Sequence, residues 1–157
     1  MSGQFEYPHL IIPVSQDQPD NAAGTSFNGT ISANTSSIYN FDIPTGLEGK
    51  FCTLVFLLPK QTELVTSAYT LEGNGGIDVA RLKEPATEQT TYNHQPAVEE
   101  DLGGPSVVEP GDEYVISGGP CYVGQRKGYK LSATGSLDLN YFQDYNPSPI
   151  GLFVTVC

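Results

Sequence analysis

The stretch SIYNFDI (Ser37–Ile43) decides the fold class. Successive side chains of an extended chain alternate faces, so Tyr39, Phe41 and Ile43 point one way and Ile38, Asn40 and Asp42 the other. A helix would instead need apolar residues recurring three and four apart. The same period of two returns in GYKLSA (Gly128–Ala133), with Tyr129, Leu131 and Ala133 in phase. It returns again in SLDLNYF (Ser136–Phe142), with Leu137, Leu139 and Tyr141. CTLVFLL (Cys52–Leu58) is apolar on both faces, as expected of a central strand covered on each side. EYVIS, SAYTLEG and GIDVARL complete the clearer strands.

Turn chemistry separates these runs. The 17 glycines and 12 prolines fall where the chain must reverse, in PTGLEGK, GNGG, EPGD, SGGP and ATGS. Pro110-Gly111 suits the centre of a type II turn, glycine supplying the positive φ. Only PKQTEL offers a helical turn, with Pro59 at its first position. Residues 84–106 carry few apolar side chains and read as a long crossing loop or edge strands. The expectation is one all-β domain over residues 1–157, an antiparallel, jelly-roll-like sandwich of about ten short strands.

A chain of 157 residues buries a sizeable core without help from metal. Charged residues make up only 16%, with 18 acids against seven Lys and Arg, for a net charge of −11. That balance argues against nucleic acid and against anionic membranes, and leaves neutral or basic partners. The longest apolar run, Leu54–Pro59, is strand-sized, so no membrane span is expected. No signal peptide is visible after Met1. Two sequons, Asn28-Gly29-Thr30 and Asn34-Thr35-Ser36, favour a secreted domain whose leader has been removed, with Asn28 and Asn34 as glycosylation sites.

Cys52, Cys121 and Cys157 form no zinc pattern. One disulfide and one free thiol is the simplest oxidised arrangement. If CTLVFLL and the terminal GLFVTVC (Gly151–Cys157) pair antiparallel, Cys52 and Cys157 come within bridging reach, with Cys121 the competing partner.

Several blocks stand in an order that resembles a known family: EYPHLIIPV, FNGTIS, IYNFDIP, GKFCTLVFLLP, GNGGIDV and the closing LNYFQDYNPSPIGLFV. Together they resemble the fungal But-two C-terminal domain over about Glu6 to Cys157. The resemblance implies a secreted or cell-surface fungal protein. It also implies an adaptor role, since the family's name refers to a partnership with the activating enzyme of a ubiquitin-like modifier. It carries no catalytic residue set.

The closing block holds the candidate site. Tyr141, Phe142 and Tyr145 offer stacking faces, and Gln143, Asp144 and Asn146 offer hydrogen-bonding groups, the pairing that carbohydrate modules use. Tyr141, Tyr145, Asp144 and Asn146 are therefore the candidate ligand-binding residues. Against this, Tyr141 is in phase with Leu137 and Leu139, and the prolines of NPSP describe a stiff turn.

Catalytic signatures are lacking. His9 and His94 have no nucleophile elbow to serve. The acids cluster in loops rather than as a facing pair, though Asp42 and Asp144 lie among aromatics. EEDLGG and EPGDE have the ligand types for a structural calcium ion but no spaced loop motif, and no other metal or cofactor is indicated. GQRKGYK, with Arg126, Lys127 and Lys130, is the one basic cluster.

The reading is a non-catalytic recognition or adhesion module, glycan or cell-wall polymer its leading ligand class. A protein-interaction adaptor and a carbohydrate-active hydrolase are the alternatives. Oligomeric state is left open.

Overall fold

The computed structural model describes residues 3–157. Twelve strands run in chain order. They are β1 (Phe5–Glu6), β2 (Leu10–Ser15), β3 (Asn28–Ile31), β4 (Thr35–Asp42), β5 (Phe51–Leu58) and β6 (Tyr69–Glu72). The second half adds β7 (Ile77–Leu82), β8 (Val98–Gly103), β9 (Asp112–Pro120), β10 (Arg126–Ala133), β11 (Asp138–Phe142) and β12 (Gly151–Val156). Among the described residues a single 3-10 turn, Gln61–Glu63, follows Pro59 and Lys60. Its start falls two residues after the proline, with Glu63 reaching back to accept from the Lys60 amide at 2.9 Å.

The strands form three antiparallel sheets, ordered β1-β12-β5-β9, β2-β4-β10-β7-β8 and β3-β11-β6. This is the expected all-β sandwich, with more strands than expected and a third, small sheet. Alternation explains the core. Leu54, Phe56 and Leu58 of β5, Leu152 and Val154 of β12, and Tyr39 and Phe41 of β4 converge on one buried cluster. Leu137, Leu139 and Tyr141 join the same cluster from the third sheet and the turn before it.

The SIYNFDI strand departs from simple alternation. Ile38 and Asn40 point away from the main core, yet both are buried. A second cluster of Ile12, Val14, Ile38, Leu82 and Ala86 covers that face, with residues 84–97 crossing over it. Asn40 ties the crossing segment down: its Nδ2 donates to the Ala86 carbonyl at 2.7 Å, and its Oδ1 accepts from the Ala86 amide at 3.0 Å. The expected crossing loop is thus a lid on the sheet. It ends in the edge strand β8, whose Glu99 and Glu100 both pair with Arg81.

The disulfide joins Cys52 to Cys121, which corrects the expected Cys52–Cys157 bridge. β5 and β12 are antiparallel neighbours as anticipated, but Cys52 stands opposite Val156, and Cys157 exchanges backbone hydrogen bonds with Phe51. One residue of offset turns a side chain to the opposite face. Cys52 therefore packs against the core, while Cys157 is exposed as a free thiol. On the other flank Cys52 is the partner of Gly119, and Cys121 lies two residues beyond, bringing the Cα atoms to 4.9 Å.

Candidate functional site: an aromatic groove beside the closing block

Along the closing block, alternation sorts the side chains by job. Tyr141 points inward from β11, 1% exposed, and its hydroxyl meets that of Tyr39 at 2.5 Å. Phe142, next in line, points outward. Gln143 then ends the strand by clasping Leu152. Its Nε2 donates to the Leu152 carbonyl at 2.9 Å and its Oε1 accepts from the Leu152 amide at 3.1 Å. Asp144 exchanges backbone hydrogen bonds with Ile150, closing the NPSP turn between them. Its buried carboxylate accepts from Thr66 Oγ1 and, at 3.1 Å, from the Asn146 amide.

Tyr145 emerges from this braced turn, 50% exposed, and stacks on Tyr7 with ring centroids 5.0 Å apart and planes 20° apart. Phe5 leans on Tyr145 at 6.2 Å and meets buried Phe153 edge-on at 6.0 Å, so the stack is anchored to the sheet. Opposite stands Phe27, the most exposed of the four groove aromatics at 81%. Its segment is held at both sides, by the Ser26 amide on the Ile11 carbonyl at 2.9 Å and the Gln143 amide on the Phe27 carbonyl at 3.1 Å.

Tyr7, Phe27, Phe142 and Tyr145 thereby line one groove of about 590 Å³, with His9 and Leu10 along its side. Three chain segments build it, each fixed by backbone hydrogen bonds, so the site is preformed. His9 Nδ1 lies 3.3 Å from Asp42, whose carboxyl accepts from Arg126 Nε at 2.7 Å. That hydrogen bond holds the Asp42 carboxyl below its usual range.

Of the sequence-level candidates, Tyr145 lines the groove and Asn146 is exposed beside it. Asp144 also lines the groove, as a buried carboxylate committed to Thr66 and Asn146, and Tyr141 is buried in the core. Tyr7 and Phe27 are not legible as site residues in the sequence, since they stand more than a hundred positions from Tyr145. The one signal is Phe27 itself, a lone aromatic that opens FNGTIS after a long polar run.

Of the two sequons, Asn28 is half-buried within β3. Its Nδ2 donates to Asn140 at 2.8 Å, and Asn140 in turn donates to Thr30 Oγ1 at 3.0 Å, which engages both recognition groups. Asn34 is exposed in the β3–β4 turn, its amide on Asp17. The acids named for calcium do not converge: among the described residues no three His, Cys, Asp or Glu side chains come together to hold a metal. Burial and the neighbouring Asp101 carboxyl push Asp78 up to about 6. This acid pair sits on the outward face of β7 and β8 and lines neither the groove nor the cavity beside the disulfide.

The profile of one protein family, described as the ubiquitin 3 binding protein But2 C-terminal domain, matches residues 6–147. No curated protein matches the chain. The matched span takes in eleven of the twelve strands in whole or part and the groove on both its sides, and the chain belongs to the But2 C-terminal domain family.

Proposed function

We propose that this domain is a non-catalytic protein-recognition module, and that the aromatic groove receives apolar and aromatic side chains of a partner segment carrying basic flanks. The observation that carries this reading is the convergence of Tyr7, Phe27, Phe142 and Tyr145 at one preformed groove. Interfaces draw most of their energy from a few such aromatic anchors, and a rigid site loses little entropy on binding. The net charge of −11 supplies long-range attraction for a basic segment. The family description, which speaks of a ubiquitin 3 binding protein, supports a protein partner and makes ubiquitin-pathway proteins the first class to test.

A glycan at the same groove is the second reading, favoured by exposed Tyr145 with exposed Asn146 beside it. Two facts weigh against it. Sugar sites need free polar groups around the platform, and Gln143 and Asp144 are already committed to Leu152, Thr66 and Asn146. No tryptophan is present to stack on a ring.

The Cys52–Cys121 bridge supports an oxidising compartment, the cell surface or beyond. A cytosolic activating enzyme as partner pulls the other way, and the thiol state of protein taken from its native cells decides between them.

The experiment is a binding titration of the purified domain against the activating-enzyme subunit of a ubiquitin-like modifier, ubiquitin, chitin, glucan and mannan. Saturable binding to a protein that Phe27→Ala and Tyr145→Ala each weaken by about tenfold or more fits the primary reading. Retention on a polysaccharide alone, lost in Tyr145→Ala, moves the conclusion to the second.

A further inference from the structure

A second cavity, of about 440 Å³, opens between the two larger sheets beside the disulfide and shares no residue with the aromatic groove. Its floor is apolar, made by Ile43, Leu54, Leu102 and Val154, and Cys52 and Cys121 form part of its wall. The size and the apolar lining are those of small-molecule sites.

Of its polar side chains Tyr129 is buried and Arg81 and Ser117 are half-buried, whereas Glu100, Tyr122 and Gln125 are exposed. Tyr129 lines the cavity and is 6% exposed, yet among the described residues nothing hydrogen-bonds its hydroxyl. That hydroxyl is free to donate to an acceptor that enters the cavity. Arg81 lies across the cavity wall, its Nε on Glu99 at 2.7 Å and its Nη1 on Glu100 at 3.3 Å. Nη2 keeps no acceptor among the described residues. Tyr122 lies under the Arg81 guanidinium, 5.7 Å from its centre.

Glu99 and Glu100 already pair with this guanidinium, so Arg81 offers the cavity a hydrogen-bond donor rather than an unpaired charge. A guanidinium N–H can only donate and the phenol O–H can donate beside it, so one ligand oxygen that accepts serves both. We infer that this cavity is a binding site for a small, uncharged, largely apolar or aromatic molecule bearing one carbonyl-type oxygen, which accepts from Tyr129 and Arg81.

Benzophenone meets that description and cross-links on irradiation, so it serves as the probe. Titrated into the full chain, it should bind saturably at one site, shift the amide resonances of Leu54, Leu102 and Tyr129, and label peptides from β5 and β8 to β10. Tyr129→Phe should weaken it roughly fivefold, the worth of one hydrogen bond. Leu102→Trp should abolish binding by filling the cavity, and Val65→Ala, on an exposed side chain elsewhere, should leave it unchanged. Non-saturable binding, scattered labels, labels confined to Phe27 and Tyr145, or a folded Tyr129→Phe that binds as the wild type would each overturn the site. Should either cavity variant fail to fold, the label position on the unaltered chain decides.

Discussion

The hydroxyls of Tyr39 and Tyr141 meet at 2.5 Å inside the core, joining the five-stranded sheet to the small sheet that carries the closing block. Both phenols are pushed far above their ordinary titration range, chiefly by burial. The pair exists because Gly29 has no side chain: a Cβ there would collide with the Tyr39 hydroxyl and the Tyr141 ring. Tyr39→Phe leaves the Tyr141 hydroxyl without its partner and should cost about 1–3 kcal/mol in urea unfolding. Tyr39→Phe with Tyr141→Phe should cost less than the sum of the two single changes. Gly29→Ala should destabilise by about 1–3 kcal/mol through overpacking.

Asn40 gives a test of the lid over the five-stranded sheet. Replacing it by Ala strands the amide and carbonyl of Ala86, both in a buried setting, at about 1–3 kcal/mol each. Hydrogen exchange should show the loss first in residues 84–97, ahead of β4 and β10. Uniform loss across all strands would mean that the segment is not held through Asn40.

Asp78 sets a pH dependence. Its folded-state pKa, about 6, lies above the ordinary carboxylate value of 3.8, because of burial and then of Asp101. Between those values the folded state binds more protons than the unfolded one, so stability falls as pH rises from about 4 to about 6. Asp78→Asn should flatten that slope, raising the melting temperature at pH 7 relative to the wild type and leaving it nearly unchanged at pH 4. An unchanged slope in thermal melts would contradict the assignment.

The cysteines separate by the same route. Cys52 and Cys121 are 69 residues apart in sequence, and losing their bridge by Cys121→Ser should cost about 2–4 kcal/mol. Cys157→Ser should be neutral. Thiol labelling of the native, oxidised chain should find a single reactive cysteine, Cys157.

These cases mark what the residues disclose by themselves. Strand identity is legible because alternation is local: SIYNFDI, GYKLSA and SLDLNYF each carry their own period, and all three are strands. What covers a strand is not local. Nothing within SIYNFDI reveals that residues 84–97 will bury Ile38 and Asn40. The Cys52–Cys157 expectation fails on a single residue of register, which two apolar runs of similar length do not specify. Within the groove, Tyr145 is visible in the closing block, but Phe27 reaches it through the backbone hydrogen bonds that join Ser26 to Ile11 and Phe27 to Gln143, and Tyr7 through its stack on Tyr145.

The most direct measurement is selection from a displayed random-peptide library on the purified domain, followed by titration of the enriched peptides. Peptides combining Arg or Lys with aromatic residues should emerge, bind saturably, and lose about tenfold or more in affinity to Phe27→Ala and Tyr145→Ala variants of unchanged melting temperature. No enrichment, or enriched peptides that bind those variants as they bind the wild type, would contradict recognition through the groove.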